Sequence, residues 1–368
     1  MTDLFDTASL GGLTLKNRAA MAPMTRARSP RNVPTAETAR YYAQRAGAGL
    51  IVTEGTVISP EGSGFAGCPG LWSDEQVAAW RPVTQAVRDQ GAAIFAQIWH
   101  VGRMSHVSLQ PGGAAPVSAT DRPAAGCSAF GITEDGAPGF LPASRPRALE
   151  TYEIGRVVED FAKAAENALA AGFDGVEIHG ANGYLIEQFL NGAVNDRTDA
   201  YGGQSVETRI RFALEVVDAC VARIGAERVG IRLSPFGRLH DLGDFDGEAE
   251  TFLALAEQLD RRGVAFVHVM DQASRGAPAM PPGFLREFRA AWRGALLLAG
   301  GLDRAKADAM IGEGLIDIAA FGAPFTSNPD LVERMRHGWP LTPVDQGAYY
   351  GGDSSGYTDW QTYSPKGV

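Results

Sequence analysis

The sequence predicts a single α/β domain over residues 1–368, a (β/α)8 TIM barrel with an N-terminal cap and a long lid inserted after the third strand. Three observations lead there. Short runs rich in Val, Ile, Leu and Ala, apolar on both faces as buried parallel strands are, recur along the chain. Between them lie stretches with apolar residues every three or four positions, the mark of amphipathic helices. The 368 residues also exceed the roughly 250 such a barrel needs, leaving about a third of the chain for caps and loops.

Taken in order, the strand candidates are Ala19–Met24, Leu50–Ile58, Ala92–His100, Gly175–His179, Val229–Ser234, Ala265–Met270, Ala295–Ala299 and Asp317–Phe321. The clearest helix between them carries Ile154, Val158, Phe161, Ala165 and Leu169, with Gly172 as its stop. Another runs through Phe252, Leu255 and Leu259 to Gly263. Periodicity does not separate a closed barrel from an open doubly wound sheet; eight strands in one unbroken alternation favour closure. Two segments stand outside the alternation. Residues 101–149, rich in Gly, Pro and Ser, follow strand three, where a barrel carries a lid. The tail after His337 has no long periodic segment.

Composition excludes several classes. A net charge of −10 with no basic run disfavours nucleic acid, so an anionic ligand needs local donors. Cys68, Cys127 and Cys220 lie far apart, without the pairing of a disulfide framework, iron–sulfur cluster or zinc site. The histidines show no metal-ligand spacing, so no metal is expected. The acidic start and the lack of a membrane-length apolar run point to a soluble, cytoplasmic protein; a monomer or small homo-oligomer is expected, without a sequence feature that decides between them.

Two motif matches are rejected. Gly62-Ser-Gly64-Phe-Ala-Gly67 fits a dinucleotide fingerprint, but Cys68-Pro69-Gly70 follows where a helix must receive the pyrophosphate. Gly352-Asp-Ser354-Ser-Gly356 fits a nucleophile elbow but lies in the irregular tail, without strand or helix beside it.

Polar and aromatic residues instead gather at the C-terminal strand ends, where TIM-barrel active sites lie. They are Pro23-Met24-Thr25-Arg26, then Gln97, Trp99 and His100, then His179-Gly-Ala-Asn182-Gly-Tyr184, then Arg232, Gly300-Gly301 and Gly322-Ala323. Gln97 and Arg232 on apolar strands need partners, because unpaired burial costs several kcal/mol.

The blocks MAPMTRAR, AQIWHVGR, GVEIHGANGYLIEQFL with NDRTDAYGG, VGIRLSP and FGAPFTSNPDL occur in the order and spacing of the Old Yellow Enzyme family, which this chain resembles from about Leu4 to the tail. The tail YYGGDSSGYTDW is similar to that of its bacterial members. The resemblance implies a bound FMN, reduced by NADPH or NADH and reoxidised in the same site by a small-molecule enone, with nitro compounds or nitrate esters as further acceptors. It implies that Thr25 bonds the flavin O4, that Gln97 and Arg232 hold the pyrimidine edge, and that Pro23, Met24 and Gly55 line the ring. His179 and Asn182 would hold the acceptor's carbonyl oxygen, and Tyr184 would protonate Cα. Trp99, Phe65 and Tyr350 would shape the substrate pocket, with Phe65 and Tyr350 as an apolar wall. His106, His240, His268 and His337 are read as structural or surface residues.

One departure stands out. Relatives carry Arg directly after the strand-eight glycine, against the FMN phosphate; this chain has Ala323. Backbone N–H groups around Gly300, Gly301, Gly322 and Ala323 are expected to serve instead, with Arg304 or Lys306 as candidate cations. Two alternatives stay open: a different FMN barrel dehydrogenase, and a flavin- or ligand-binding barrel without turnover.

Overall fold

A computed structural model describes residues 2–364. Eight parallel strands form the barrel: β1 (Ala19–Met21), β2 (Leu50–Val52), β3 (Ala93–Trp99), β4 (Gly175–Gly180), β5 (Val229–Leu233), β6 (Phe266–Met270), β7 (Ala295–Ala299) and β8 (Ile318–Phe321). Each pairs with its sequence neighbour, and β8 returns to β1 through Ala319↔Ala19, so the sheet closes on itself. The expected strand Leu50–Ile58 breaks at Thr53–Gly55 and resumes at Thr56–Val57 beside Ile98 and Trp99. The cause is local. The Thr53 and Thr56 hydroxyls both bond the Glu54 carbonyl, while the Glu54 carboxylate takes the N–H groups of Arg26 and Ala27 at 2.9 Å each.

Helices ring the sheet: α1 (Ala36–Gln44), α2 (Asp74–Arg88), α3 (Thr151–Ala170), α4 (Val206–Ile224), α5 (Glu248–Arg262), α6 (Phe284–Ala291), α7 (Arg304–Gly312) and α8 (Leu331–His337). α3 faces the barrel with Ile154, Val157, Phe161, Ala165 and Ala168, all buried, and ends where Gly172 turns left-handed at φ 90°. α2 starts at a capping box in which Ser73 and Gln76 satisfy each other's backbone N–H.

The barrel interior is layered. At its lower end Leu50, Phe95, Phe266, Leu297 and Ile318 fill the bore, and the N-terminal hairpin Ala8–Leu10/Leu13–Leu15 packs Leu10 and Leu15 against them as a plug. Above that floor the side chains become polar. Residues 101–149 include a lid hairpin, Ser128–Ile132 against Pro138–Pro142. The tail is strapped to the top by cations: Arg45 donates to the carbonyls of Phe325, Thr326 and Tyr357, and Arg26 to those of Ala348, Tyr349 and Gly356. The helix after Gly67 begins only at Asp74, and no helix follows Gly356 among the described residues.

Candidate active site

At the C-terminal ends of the strands the barrel opens into a cavity of about 540 Å³, within the range of cofactor and ligand sites. Pro23, Met24, Thr25, Gln97, Trp99, His179, Asn182, Tyr184, Arg232, Gly300, Gly301, Gly322, Ala323, Phe65 and Tyr350 all line it. Gly55 does not. A Cβ there would lie 2.1 Å from the Trp99 ring, so packing against Trp99 by itself requires glycine at this position. His240, expected to be structural or at the surface, instead lines the cavity beside Leu239. His268 is buried beneath it, as a structural residue.

The turn after β4 builds a donor pair. His179 lies nearly parallel to Trp99, ring centroids 5.9 Å apart, and edge-on to Tyr184 at 5.0 Å. The Ala181 N–H points at its Nδ1 from 3.3 Å, which leaves the ring proton on Nε2. Burial, aided by the Arg232 charge, holds its pKa well below the ordinary imidazole range. His179 is therefore a neutral hydrogen-bond donor.

Asn182 sits in the left-handed region at φ 58°, which Asn tolerates better than most residues. Its N–H donates to Ser234 Oγ at 2.8 Å, and its carbonyl meets His240 Nδ1 at 2.6 Å. Its side chain is oriented from a distance. The N–H groups of Arg238 and Leu239 can only donate, so Gln272 Oε1 faces them at 2.9 and 3.1 Å. Gln272 Nε2 must then face Asn182 Oδ1, 3.0 Å away. The Asn182 amide NH2 is left for a ligand.

Tyr184 caps the short helix Leu185–Leu190 and packs edge-on to Trp99 at 4.8 Å. Burial pushes its phenol pKa up, so it keeps its proton. Beneath this turn, Glu187 accepts from Gly183 N–H and from the Ser234 hydroxyl, and burial pushes its pKa up to about 8.

The deeper end suits a planar, electron-rich heterocycle. Gln97 Nε2 donates to Glu177 at 2.8 Å, and Glu177 meets His268 Nδ1 at 2.7 Å, leaving the Gln97 carbonyl oxygen as acceptor. Arg232 is buried, with Nη2 3.3 Å from the Met270 sulfur and Nε without a partner. Such a guanidinium needs an electron-rich acceptor. Gly300 at φ 126° and Gly301 at φ 64° present bare backbone at the other end, and a Cβ on Gly300 would lie 2.2 Å from the Asp271 carbonyl. The Gln97 carbonyl oxygen and the Arg232 guanidinium thus fit the pyrimidine edge of FMN, and the bare glycine backbone leaves room for it.

Neither cation expected to replace the missing Arg serves. Arg304 turns to the Met335 and Arg336 carbonyls and Asp308, and Lys306 reaches the Gly301 carbonyl at 3.3 Å; neither lines the cavity. Phe65, Phe130, Phe140 and Tyr350 form an aromatic wall, with Phe65 and Tyr350 centroids 5.8 Å apart. Gln272 and His240 were missed because both stand in loops after strand ends without periodicity. The one available signal was Gln272's place two residues past β6.

The chain is 43% identical to 12-oxophytodienoate reductase 1 of Oryza sativa subsp. japonica over 356 residues, 95% of this chain and 90% of that protein. Against 12-oxophytodienoate reductase 2 of Arabidopsis thaliana it is 42% identical, covering 95% and 93%. Morphinone reductase in complex with tetrahydroNAD superposes with a TM-score of 0.96 at 45% identity, over 100% of this chain and 99% of that one. The Old Yellow Enzyme homologue of Zymomonas mobilis gives 0.92 at 41% identity, over 98% and 100%. The model of the NADH:flavin oxidoreductase / NADH oxidase family matches residues 3–342. The chain therefore belongs to that family, among the Old Yellow Enzymes, as an FMN-dependent NAD(P)H oxidoreductase.

Proposed function

We propose that the enzyme reduces the activated C=C bond of α,β-unsaturated carbonyl compounds, with NAD(P)H and acceptor occupying one cavity in turn, a ping-pong sequence. The observation that carries this reading is the pair of donors at His179 and Asn182, each fixed in polarity by its neighbours. FMN, when bound, would supply the redox chemistry that links NAD(P)H oxidation to alkene reduction. As the enone is reduced, negative charge grows on its oxygen. Donors already aimed at that oxygen stabilise the transition state more than the ground state. Tyr184, held protonated beside them, supplies the proton to Cα. Thr25, Gln97 and Arg232 hold the flavin ring, and Phe65 with Tyr350 favours apolar acceptors. The names of the relatives support this reading, since 12-oxophytodienoate and morphinone are both enones. Nitro compounds and nitrate esters, whose oxygens also gain charge on reduction, are further acceptors for the same donors.

Anaerobic titration tests it. The yellow holoenzyme should bleach with NADPH or NADH and regain its colour with 2-cyclohexenone. Removing either donor should slow that return by roughly 100- to 1000-fold. Reoxidation at the wild-type rate in a His179→Ala, Asn182→Ala double variant would overturn the reading.

A further inference from the structure

In a chain of net charge −10, none of the residues lining the cavity is Asp or Glu, and two are Arg. Arg232 lies deep in the bore and has its use there. Arg275 stands at the mouth, exposed, without a hydrogen bond or ion pair among the described residues. It ends the turn Gln272–Arg275 after β6, and Gly276 at φ 89° closes that turn. The nearest carboxylate in sequence, Asp271, is committed to the Ala273 N–H at 2.9 Å.

We propose that Arg275 binds a phosphate group at the cavity mouth, that of the incoming nicotinamide coenzyme. The proposal rests on the reading that NAD(P)H and acceptor share this cavity. On that reading, a nicotinamide held by the His179 and Asn182 donors inside the cavity would have its pyrophosphate toward the mouth. An anion there is repelled by the overall charge and needs a local cation. Arg275 shares the lining of that cavity with Leu239, His240 and Tyr350, from loops after β5 and β6 and from the tail. A neutral enone leaves this guanidinium idle, which separates the two half-reactions. The same rim also adjoins Gly301, whose Cβ would approach Ser274 at 3.2 Å, so the FMN phosphate is the other source of the same chemistry.

Arg275→Gln and Arg275→Lys holoenzymes test it, with tetrahydroNAD as probe because it has no hydride to transfer. The Gln variant should bind tetrahydroNAD about tenfold more weakly, and the Lys variant should keep part of the affinity. Wild-type affinity should fall as salt is raised, and that slope should flatten in the Gln variant. Phenol affinity should not change. FMN and riboflavin affinities of the apoproteins separate the sources. A loss for FMN but not riboflavin, with tetrahydroNAD unaffected, assigns Arg275 to the flavin's phosphate. Unchanged affinity for both FMN and tetrahydroNAD overturns the proposal. A wild-type holoenzyme that does not bind tetrahydroNAD at all sinks the shared-cavity reading together with it.

Discussion

Asn182 offers its NH2 to a ligand only while Gln272 holds its oxygen, and Gln272 does so only because two backbone N–H groups hold its own oxygen. This directionality makes Gln272 a positioning residue that touches no substrate. Gln272→Leu should weaken phenol binding to the oxidised enzyme by about tenfold, the worth of one misdirected hydrogen bond. Titrating the flavin absorbance with a phenol checks this, and Asn182→Ala combined with Gln272→Leu should lose no more than Asn182→Ala alone. Additive losses would show that Gln272 acts by another route. This part of the site was not legible in the sequence. His179, Asn182 and Tyr184 announce themselves as three polar or aromatic residues crowded past one strand end. Gln272 and His240 act through the sense of hydrogen bonds between loops far apart in the chain, which no local spacing records.

The interruption of the second strand shows the same limit among elements. All eight barrel strands were legible, since a strand buried on both faces leaves a continuous apolar run. The break at Thr53–Gly55 was not, because Thr, Glu and Gly in that stretch acquire their roles only when the Glu54 carboxylate meets the loop after β1. Gly55 has a structural role of its own that no local spacing records: the Trp99 ring occupies the space a Cβ would need. Gly55→Ala should therefore cost about 1–3 kcal/mol in urea unfolding, the usual penalty of overpacking. A variant as stable as the parent would mean the Trp99 ring shifts freely. The lid hairpin escaped notice because its strands contain Gly and Pro and face solvent in part. The Arg–carbonyl strapping that holds Tyr349 and Tyr350 at the cavity likewise depends on a tail with no periodicity of its own.

Across the whole molecule, buried titrating groups set how stability follows pH. His179, His240 and His268 are all depressed by burial, His240 to about 4 from 6.5. Below 6.5 the unfolded chain takes up protons that the folded imidazoles refuse, so stability falls as pH drops through that range. Glu187 works in the opposite sense. Its folded pKa of about 8 lies above the ordinary 4.5, so its contribution is complete below 4.5 and is lost as pH rises toward 8. In Glu187→Gln, Tm should therefore gain on the parent's as pH rises from about 4.5 to 8, with the two curves parallel outside that window; curves parallel throughout would refute the assignment. The carboxylate-free cavity has a further consequence, for stereochemistry. A saturated ketone with a stereocentre next to its carbonyl finds no strong base there: His179 is held as a weak one, and Tyr184 as a phenol rather than a phenolate. The enzyme should release such a product without racemising it, and in D2O without reductant a bound chiral ketone should gain no deuterium at that carbon.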